Sequence, residues 1–375
     1  MTKLKLILSI FFIIAIAIPT LHVHAATSTT GTAIIFDSLS KSDAIVFSIE
    51  NAVAPDSGKE LVGWLVSDDA TTNKSTGIMT VSDSGAVAHT FDQSSTGYTG
   101  NNLLDSFASI VITQETIGSS PTTPSSKIVH SYSIPSGSLS HIRKLTTDFT
   151  LITSQIDIAI TEAIKASSAS SLAAGNQVLE KVINAIEGPN GSKYGDIDKN
   201  GTTESVGDGT GLLVHLSAAT SAAAVSGADG NTTVITHSKL VDTNTAHAIS
   251  LLDQARDEAI ALNSETDLKI YKLNAARIAV LLQNARDGID SDASGTIEST
   301  SSEGAVRQAY VETQKMATFN LTSAATPVTP VPVVVEAPSV GDPLVPVSIK
   351  LVLVFAALLL TLGTGSLLAR KRNLS

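Results

Sequence analysis

The chain of 375 residues has no cysteine, which excludes disulfides, thiolate metal sites, cysteine nucleophiles and lipid attachment through an N-terminal Cys. Aromatic residues are scarce, at 4%, and Ala, Ser, Thr and Gly carry much of the composition. Long apolar runs are missing except at the two ends, Leu4–Ile18 and Ile349–Ala369, which account for most of the mean hydropathy of +0.23. Positive charge is also in short supply. Six of the 24 basic residues (Lys3, Lys5, Lys350, Arg370, Lys371, Arg372) lie in or beside those ends, leaving 18 basic against 35 acidic residues elsewhere. A surface this acidic repels nucleic acid and favours cations. No Gly-x-Ser-x-Gly elbow, P-loop or dinucleotide fingerprint occurs, so the common hydrolase and nucleotide-binding signatures are missing as well.

The ends themselves predict a topology. Met1–Lys5 is short and basic, Leu6–Ile18 is apolar, Pro19 breaks the run, and Val23-His24-Ala25 supplies a cleavage site. This pattern predicts a secretory signal peptide over 1–25. Leu351–Ala369 gives 19 residues without a charge, about 29 Å of helix, enough to cross the hydrocarbon core. Arg370-Lys371-Arg372 follows at once and predicts a cytoplasmic tail over 370–375 by the positive-inside rule. A transmembrane helix over 349–369 therefore makes the chain a single-pass membrane protein with its bulk outside the cell. Val345-Pro346, the span and the basic cluster resemble the tripartite C-terminal sorting signals of bacterial surface proteins. No Leu-Pro-x-Thr-Gly accompanies them, and a retained anchor is the simpler reading. Six of the 12 prolines lie between Thr326 and Pro346, which predicts a polyproline-type linker over 321–348.

Between the ends the hydrophobic period changes once. Seven segments rich in Val, Ile, Phe and Thr occur from Thr32 to Ile134: Thr32–Phe36, Ala44–Ile49, Glu60–Val66, Gly77–Val81, Ala86–Phe91, Phe107–Glu115 and Lys127–Ile134. Turn clusters such as Asp56-Ser57-Gly58 separate them, and the pattern predicts an antiparallel β-sandwich over 26–140 with Trp64 in its core. From 141 to 320 the period is helical. Candidates are Phe149–Lys165, Ser170–Glu187, Gly211–Ala224, Thr245–Asn263, Thr266–Asp287 and Ser302–Phe319, a helical bundle. Ser264-x-x-Asp267 reads as a capping box for the fifth of these. The fold class expected is multi-domain α+β.

Part of the β-rich segment resembles a known family. Leu61-Val62-Gly63-Trp64-Leu65-Val66, Gly77-Ile78-Met79-Thr80-Val81 with Asp83-Ser84-Gly85-Ala86, and Asp105–Glu115 look like the extracytoplasmic C-terminal domain of anti-sigma-K factors. Gly118-Ser119-Ser120-Pro121-Thr122-Thr123-Pro124 fits it too. The resemblance covers about a quarter of the chain and implies a β-sandwich outside the membrane with a link to sigma-factor control. Such factors grip sigma through a cytoplasmic N-terminal domain, often with a His/Cys zinc motif. This chain begins with an export signal and has no Cys, so no direct sigma-factor contact is expected.

The chemistry-bearing residues are two acidic loops 94 residues apart. Asp196, Asp198, Asn200, Thr202 and Glu204 occupy positions 1, 3, 5, 7 and 9 of an EF-hand-like loop with Gly201 at position 6; Asp290, Asp292, Ser294, Thr296 and Glu298 repeat this with Gly295. Alternation suits Ca²⁺, because a curled loop turns every second side chain inward and hard oxygens match a hard cation. At position 12, where a bidentate Glu belongs, stand Gly207 and Ser301. Asp208 and Glu303, slightly further on, are the expected substitutes, with Kd in the weak range of roughly 10⁻⁴–10⁻³ M. The alternative is a pair of Asp/Asn/Gly turns that merely end helices. His141, His215, His237 and His247 share no i, i+3 or i, i+4 spacing and read as ordinary histidines. The chain thus reads as a non-catalytic, membrane-anchored surface protein, stabilised by structural Ca²⁺, that binds or senses an unidentified envelope protein or ligand, with a relation to anti-sigma signalling. The alternatives are an envelope enzyme acting through its helical domain and a passive structural or adhesive component.

Overall fold

The computed structural model describes residues 30–323. The signal peptide, the membrane span, the cytoplasmic tail and all of the Pro-rich linker beyond Ser323 lie outside them. Among the described residues no helix is long and apolar enough to cross a membrane.

The fold is α+β. Strands β1 (Thr30–Phe36), β2 (Ala44–Glu50), β3 (Lys59–Val66), β4 (Asn73–Met79) and β5 (Val87–Phe91) precede a one-turn helix α1 (Leu103–Ser106), and β6 (Ser109–Thr116) and β7 (Ile128–Ser133) follow. All seven segments read as strands from the sequence are strands. Six longer helices come next: α2 (Ser136–Ser167), α3 (Leu172–Glu187), α4 (Leu212–Ser226), α5 (Thr232–Leu262), α6 (Leu268–Asp287) and α7 (Val306–Met316). The chain then returns to the sheet as β8 (Phe319–Ser323).

Two features depart from the sandwich. The strands form one antiparallel sheet, ordered β4-β3-β6-β7-β8-β1-β2-β5, rather than two facing sheets. It curls until its edges meet, where the His89 ring on β5 donates from Nε2 to the Thr76 carbonyl on β4 at 2.7 Å. The result is a nearly closed barrel, which removes most of the unpaired edge that an open sheet exposes. The second departure is β8. It sits in the middle of the sheet, where the sequence pattern predicts the end of the sixth helix, the margin of the bundle and the start of the linker. Phe319 and Leu321 are buried with the half-buried Asn320 between them, the alternation of a half-buried strand, and the strand runs out into the exposed Thr322 and Ser323.

Alternate strand residues fill the barrel: Ile35, Ile45, Phe47, Leu61, Leu65, Ile110, Ile112 and Phe319 belong to one apolar cluster. The same cluster continues through Leu139, Ile142, Phe149, Ile152 and Ile156 of α2 into Leu252, Ile278 and Leu282, so sheet and helices share a core. Trp64 is buried and donates from Nε1 to Thr113 at 2.9 Å. Helix α2 begins 13 residues before the expected Phe149 because Leu139, Ile142 and Leu145 already follow the buried stripe. Helix α5 likewise starts early, where the Asn231 side chain accepts from Thr233 N (3.0 Å) and Val234 N (3.3 Å). For α6 the N-cap is Asp267 itself, accepting from Lys269 N at 2.7 Å and Ile270 N at 3.3 Å. Ser264 bonds back to the Ala261 carbonyl instead.

Candidate metal centres

Both acidic loops leave a helix in the same way. Helix α3 ends at Gly188 (φ +73°), whose N–H donates to the Asn184 carbonyl; α6 ends at Gly288 (φ +92°), donating to the Asn284 carbonyl. Each combines a positive φ with ψ near 180°, a conformation that glycine adopts without strain. After the cap the two loops fold alike. The position-1 carboxylate accepts from the backbone N–H at positions 5 and 6: Asp196 from Asn200 (3.1 Å) and Gly201 (2.9 Å), and Asp290 from Ser294 (3.0 Å) and Gly295 (3.0 Å). The position-3 carboxylates, Asp198 and Asp292, accept from the same position-5 N–H at 3.0 Å. Lys199 (φ +61°) and Ala293 (φ +59°) take the left-handed conformation at position 4, as do Gly201 (φ +91°) and Gly295 (φ +86°) at position 6. Two sequences that share only their Asp, Gly, Thr and Glu spacing therefore make one turn twice.

The closing acid differs. In the second loop Glu303 is brought in as expected: its carboxylate, with those of Asp290 and Asp292, places oxygens within 4.8 Å of one another. Glu303 accepts from Glu298 N at 3.1 Å and from the Ser291 hydroxyl at 2.8 Å, and it is buried. Asp208 does not join the first cluster. Its carboxylate accepts from Thr210 N at 2.9 Å and pairs with the His215 ring at 2.8 Å, an arrangement at the entry to α4. The acid that closes the first loop is Glu180, from the preceding helix α3, clustered with Asp198 and Glu204 within 4.8 Å. It is fully buried and accepts from Ile197 N (2.7 Å), Asp198 N (3.0 Å) and Glu204 N (2.7 Å). In both loops, then, the position-9 N–H, of Glu204 or Glu298, is held by the closing carboxylate.

Glu180 belongs to a stripe the sequence analysis missed. Glu180, Asn184 and Glu187 lie at i, i+4 and i+7 of α3, all buried. Asn184 donates to the carbonyls of Gly195 (3.0 Å) and Glu204 (2.6 Å) and accepts from Gly195 N (2.9 Å), tying both ends of the loop together. Glu187 accepts from Lys193 N at 3.2 Å and pairs with Arg256 of α5 at 2.7 Å. Three polar groups on the buried side of an amphipathic helix were the available signal, since such groups occur inside only when something satisfies them.

The other expected ligands stay near their acids. Asn200 donates from Nδ2 to Asp198 (3.0 Å) and Glu204 (3.1 Å), and its Oδ1 accepts from Thr202 N at 2.8 Å. In the second loop the Ser294 hydroxyl contacts Glu298 at 3.2 Å and the Thr296 hydroxyl at 3.1 Å. Burial pushes the Glu180 carboxyl above the usual range, while the Gln177 amide, with help from Asn200, holds Glu204 below it. Hydrogen bonds from Glu298 and Ser291 hold Glu303 down, to about 2. Clustered carboxylates repel one another unless protons or a cation intervene. The second carboxylate oxygen of Glu204, Oε2, is buried and has no hydrogen-bond donor. A buried, donorless oxygen beside two other acids fits a hard cation with six to eight oxygen ligands. The histidines are not among the clustered groups: His237 pairs with Glu312, and His247 contacts the Gly304 carbonyl, next to Glu303, at 2.8 Å.

Comparison with protein-family models, with curated proteins and with solved structures returned no match.

Proposed function

We propose that the chain is a non-catalytic protein of the cell envelope whose helical half is held by two structural Ca²⁺ ions, one in each acidic loop. The observation that carries this reading is the repeated turn, with the same carboxylate-to-backbone bonds at positions 1, 3, 5 and 6 and three acids gathered within 4.8 Å in each copy. Glu180, Asp196, Asp198, Asn200, the Thr202 carbonyl and Glu204 would hold the first ion. Asp290, Asp292, Ser294, the Thr296 carbonyl, Glu298 and Glu303 would hold the second. The ion neutralises acids that otherwise repel and ties α3 to α4 or α6 to α7, so its binding energy becomes folding energy. The anchored topology, the sensing or binding role and the tie to anti-sigma circuits rest on the terminal sequences and the β-strand resemblance. A reporter active only outside the membrane, fused beyond β8 after Pro332 so that the sheet stays whole, tests the topology: silence there refutes it. Calcium is tested by melting the full chain in Ca²⁺ and in chelator, alongside Asp196→Ala and Asp290→Ala. Each substitution should remove part of a calcium-dependent rise in Tm. Coincident curves for the unaltered chain would reduce the loops to turns.

A further inference from the structure

We infer that the second loop does more than stabilise its own helices: it governs the seating of β8, and with it whether the barrel is one sheet or two. This rests on the calcium reading of that loop. Among the described strands β8 alone joins the two parts of the sheet. Without it β4-β3-β6-β7 and β1-β2-β5 share no ladder through the centre and meet only at the β4–β5 seam. Its grip is short. It pairs with β1 from Ala33↔Phe319 to Thr30↔Thr322 and with β7 at His130↔Ser323 and Ser131↔Thr322. Only Phe319 and Leu321 anchor it in the core. A five-residue strand held by two apolar side chains belongs to the low-stability end of a fold, where local opening occurs.

Its position is set by α7, which is in turn set by the loop. Helix α7 has no side-chain N-cap, and Glu303 stands three residues before its first residue, Val306. The Glu303 carbonyl accepts from Ile289 N at 2.9 Å, closing the loop onto the end of α6, while its carboxylate belongs to the acidic cluster. From the same loop Ser299 donates to Glu312 in the middle of α7 at 3.1 Å, and Glu312 also pairs with His237 of α5 and with Lys315. Two residues further on, Gln314 donates to Ser42 at 3.2 Å, between β1 and β2. The helix is thus pinned at its start by the loop and near its end by the barrel, and β8 follows two residues after it.

A second observation marks the loop as a ligand site. Asn244 of α5 is fully buried; its Nδ2 donates to Ser299 at 3.1 Å, but its Oδ1 has no donor. That oxygen lies against Gly304, next to Glu303, so close that a Cβ on Gly304 would come within 1.8 Å of it. A buried amide oxygen without a donor, on a side chain already bonded to the loop through Ser299 and set against the residue that follows the closing acid, is one that a cation's bound water satisfies. Drawing Glu303 and Ser299 inward would fix the start of α7, and through its short rigid length β8.

Hydrogen exchange of the full chain, read at Phe319–Ser323 and at Thr30–Ala33, tests this, with calcium binding followed in parallel by titration calorimetry. At 1 mM Ca²⁺ and a Kd near 10⁻⁴ M, exchange in β8 should slow about tenfold. Asp290→Ala and Glu303→Gln should abolish the slowing, while Asp196→Ala leaves it intact. Calcium that binds through Asp290 without changing β8 exchange overturns the coupling and leaves the calcium reading standing. Heat lost in Asp196→Ala but unchanged in Asp290→Ala, or no heat at all, overturns the inference; only the last also removes the calcium reading.

Discussion

Replacing Glu180 with Gln is the sharpest perturbation of the first loop, because the residue is invisible to a loop motif and central to the observed geometry. Gln keeps the shape and one oxygen for the three N–H groups of Ile197, Asp198 and Glu204 but removes the charge. Without calcium that charge is itself costly. Burial raises the folded value above the ordinary one, so Glu180 contributes less to stability as pH rises through it, and Gln escapes this loss. The missing hydrogen bonds and the relieved charge therefore oppose each other, and in chelator the variant should melt close to the parent chain. In calcium the two separate. A site with Kd near 10⁻⁴ M contributes about 1.4 kcal/mol at 1 mM Ca²⁺, so two independent sites give about 3 kcal/mol, or about 6 °C in Tm at this size. Weakening one site tenfold or more leaves it at most about 0.4 kcal/mol, and the calcium-induced rise should fall to about 4 °C. Differential scanning calorimetry of the full chain with and without chelator measures both numbers. Asp208→Asn should keep the whole rise, since that carboxylate serves Thr210 and His215. A Glu180→Gln protein that gains as much from calcium as its parent refutes the assignment of Glu180.

The barrel carries its own pH dependence. Asp43 is buried; against that burial, Tyr98 and the N–H groups of Ser38, Leu39 and Ser40 bring its carboxyl down to about 2. A depressed folded value means that its contribution is complete above the unfolded value near 4 and is lost as pH falls toward 2. The contribution is about 2 kcal/mol, so Asp43→Asn should lower stability by roughly that amount at pH 7 and by little at pH 2 in denaturant titrations. Equal losses at both pH values would show that the hydrogen bonds stabilise without regard to charge.

The strands from Thr32 to Ile134 were legible because alternation and β-branched residues mark a half-buried surface whatever its partners. Closure into one sheet was not, because it depends on β8. Phe319-Asn320-Leu321-Thr322-Ser323 offers too short an alternation to register, and it directly follows a helix. Its strand character comes from β1 and β7, whose sequences lie far away in the chain. The early halves of α2 and α5, rich in Ser, Thr and Val, have weak helix propensity, and burial of Leu139, Ile142 and Val241 overrides it. In the site, positions 1 to 9 of both loops were legible because their spacing is local. The closing acids were legible only where they stayed local, at Glu303. Asp208 was close in sequence, but its N–H is drawn to Gln155 of α2 at 2.9 Å and its carboxylate to α4. Glu180 lay 16 residues before the loop, where no loop pattern looks.

Calcium titration of the full chain by calorimetry bears on the central claim most directly. Two ions should bind per chain, one lost with Asp196→Ala and the other with Asp290→Ala, with Mg²⁺ a poor substitute because it demands tighter octahedral geometry. Absence of a binding heat, or a heat that neither substitution changes, would contradict the account.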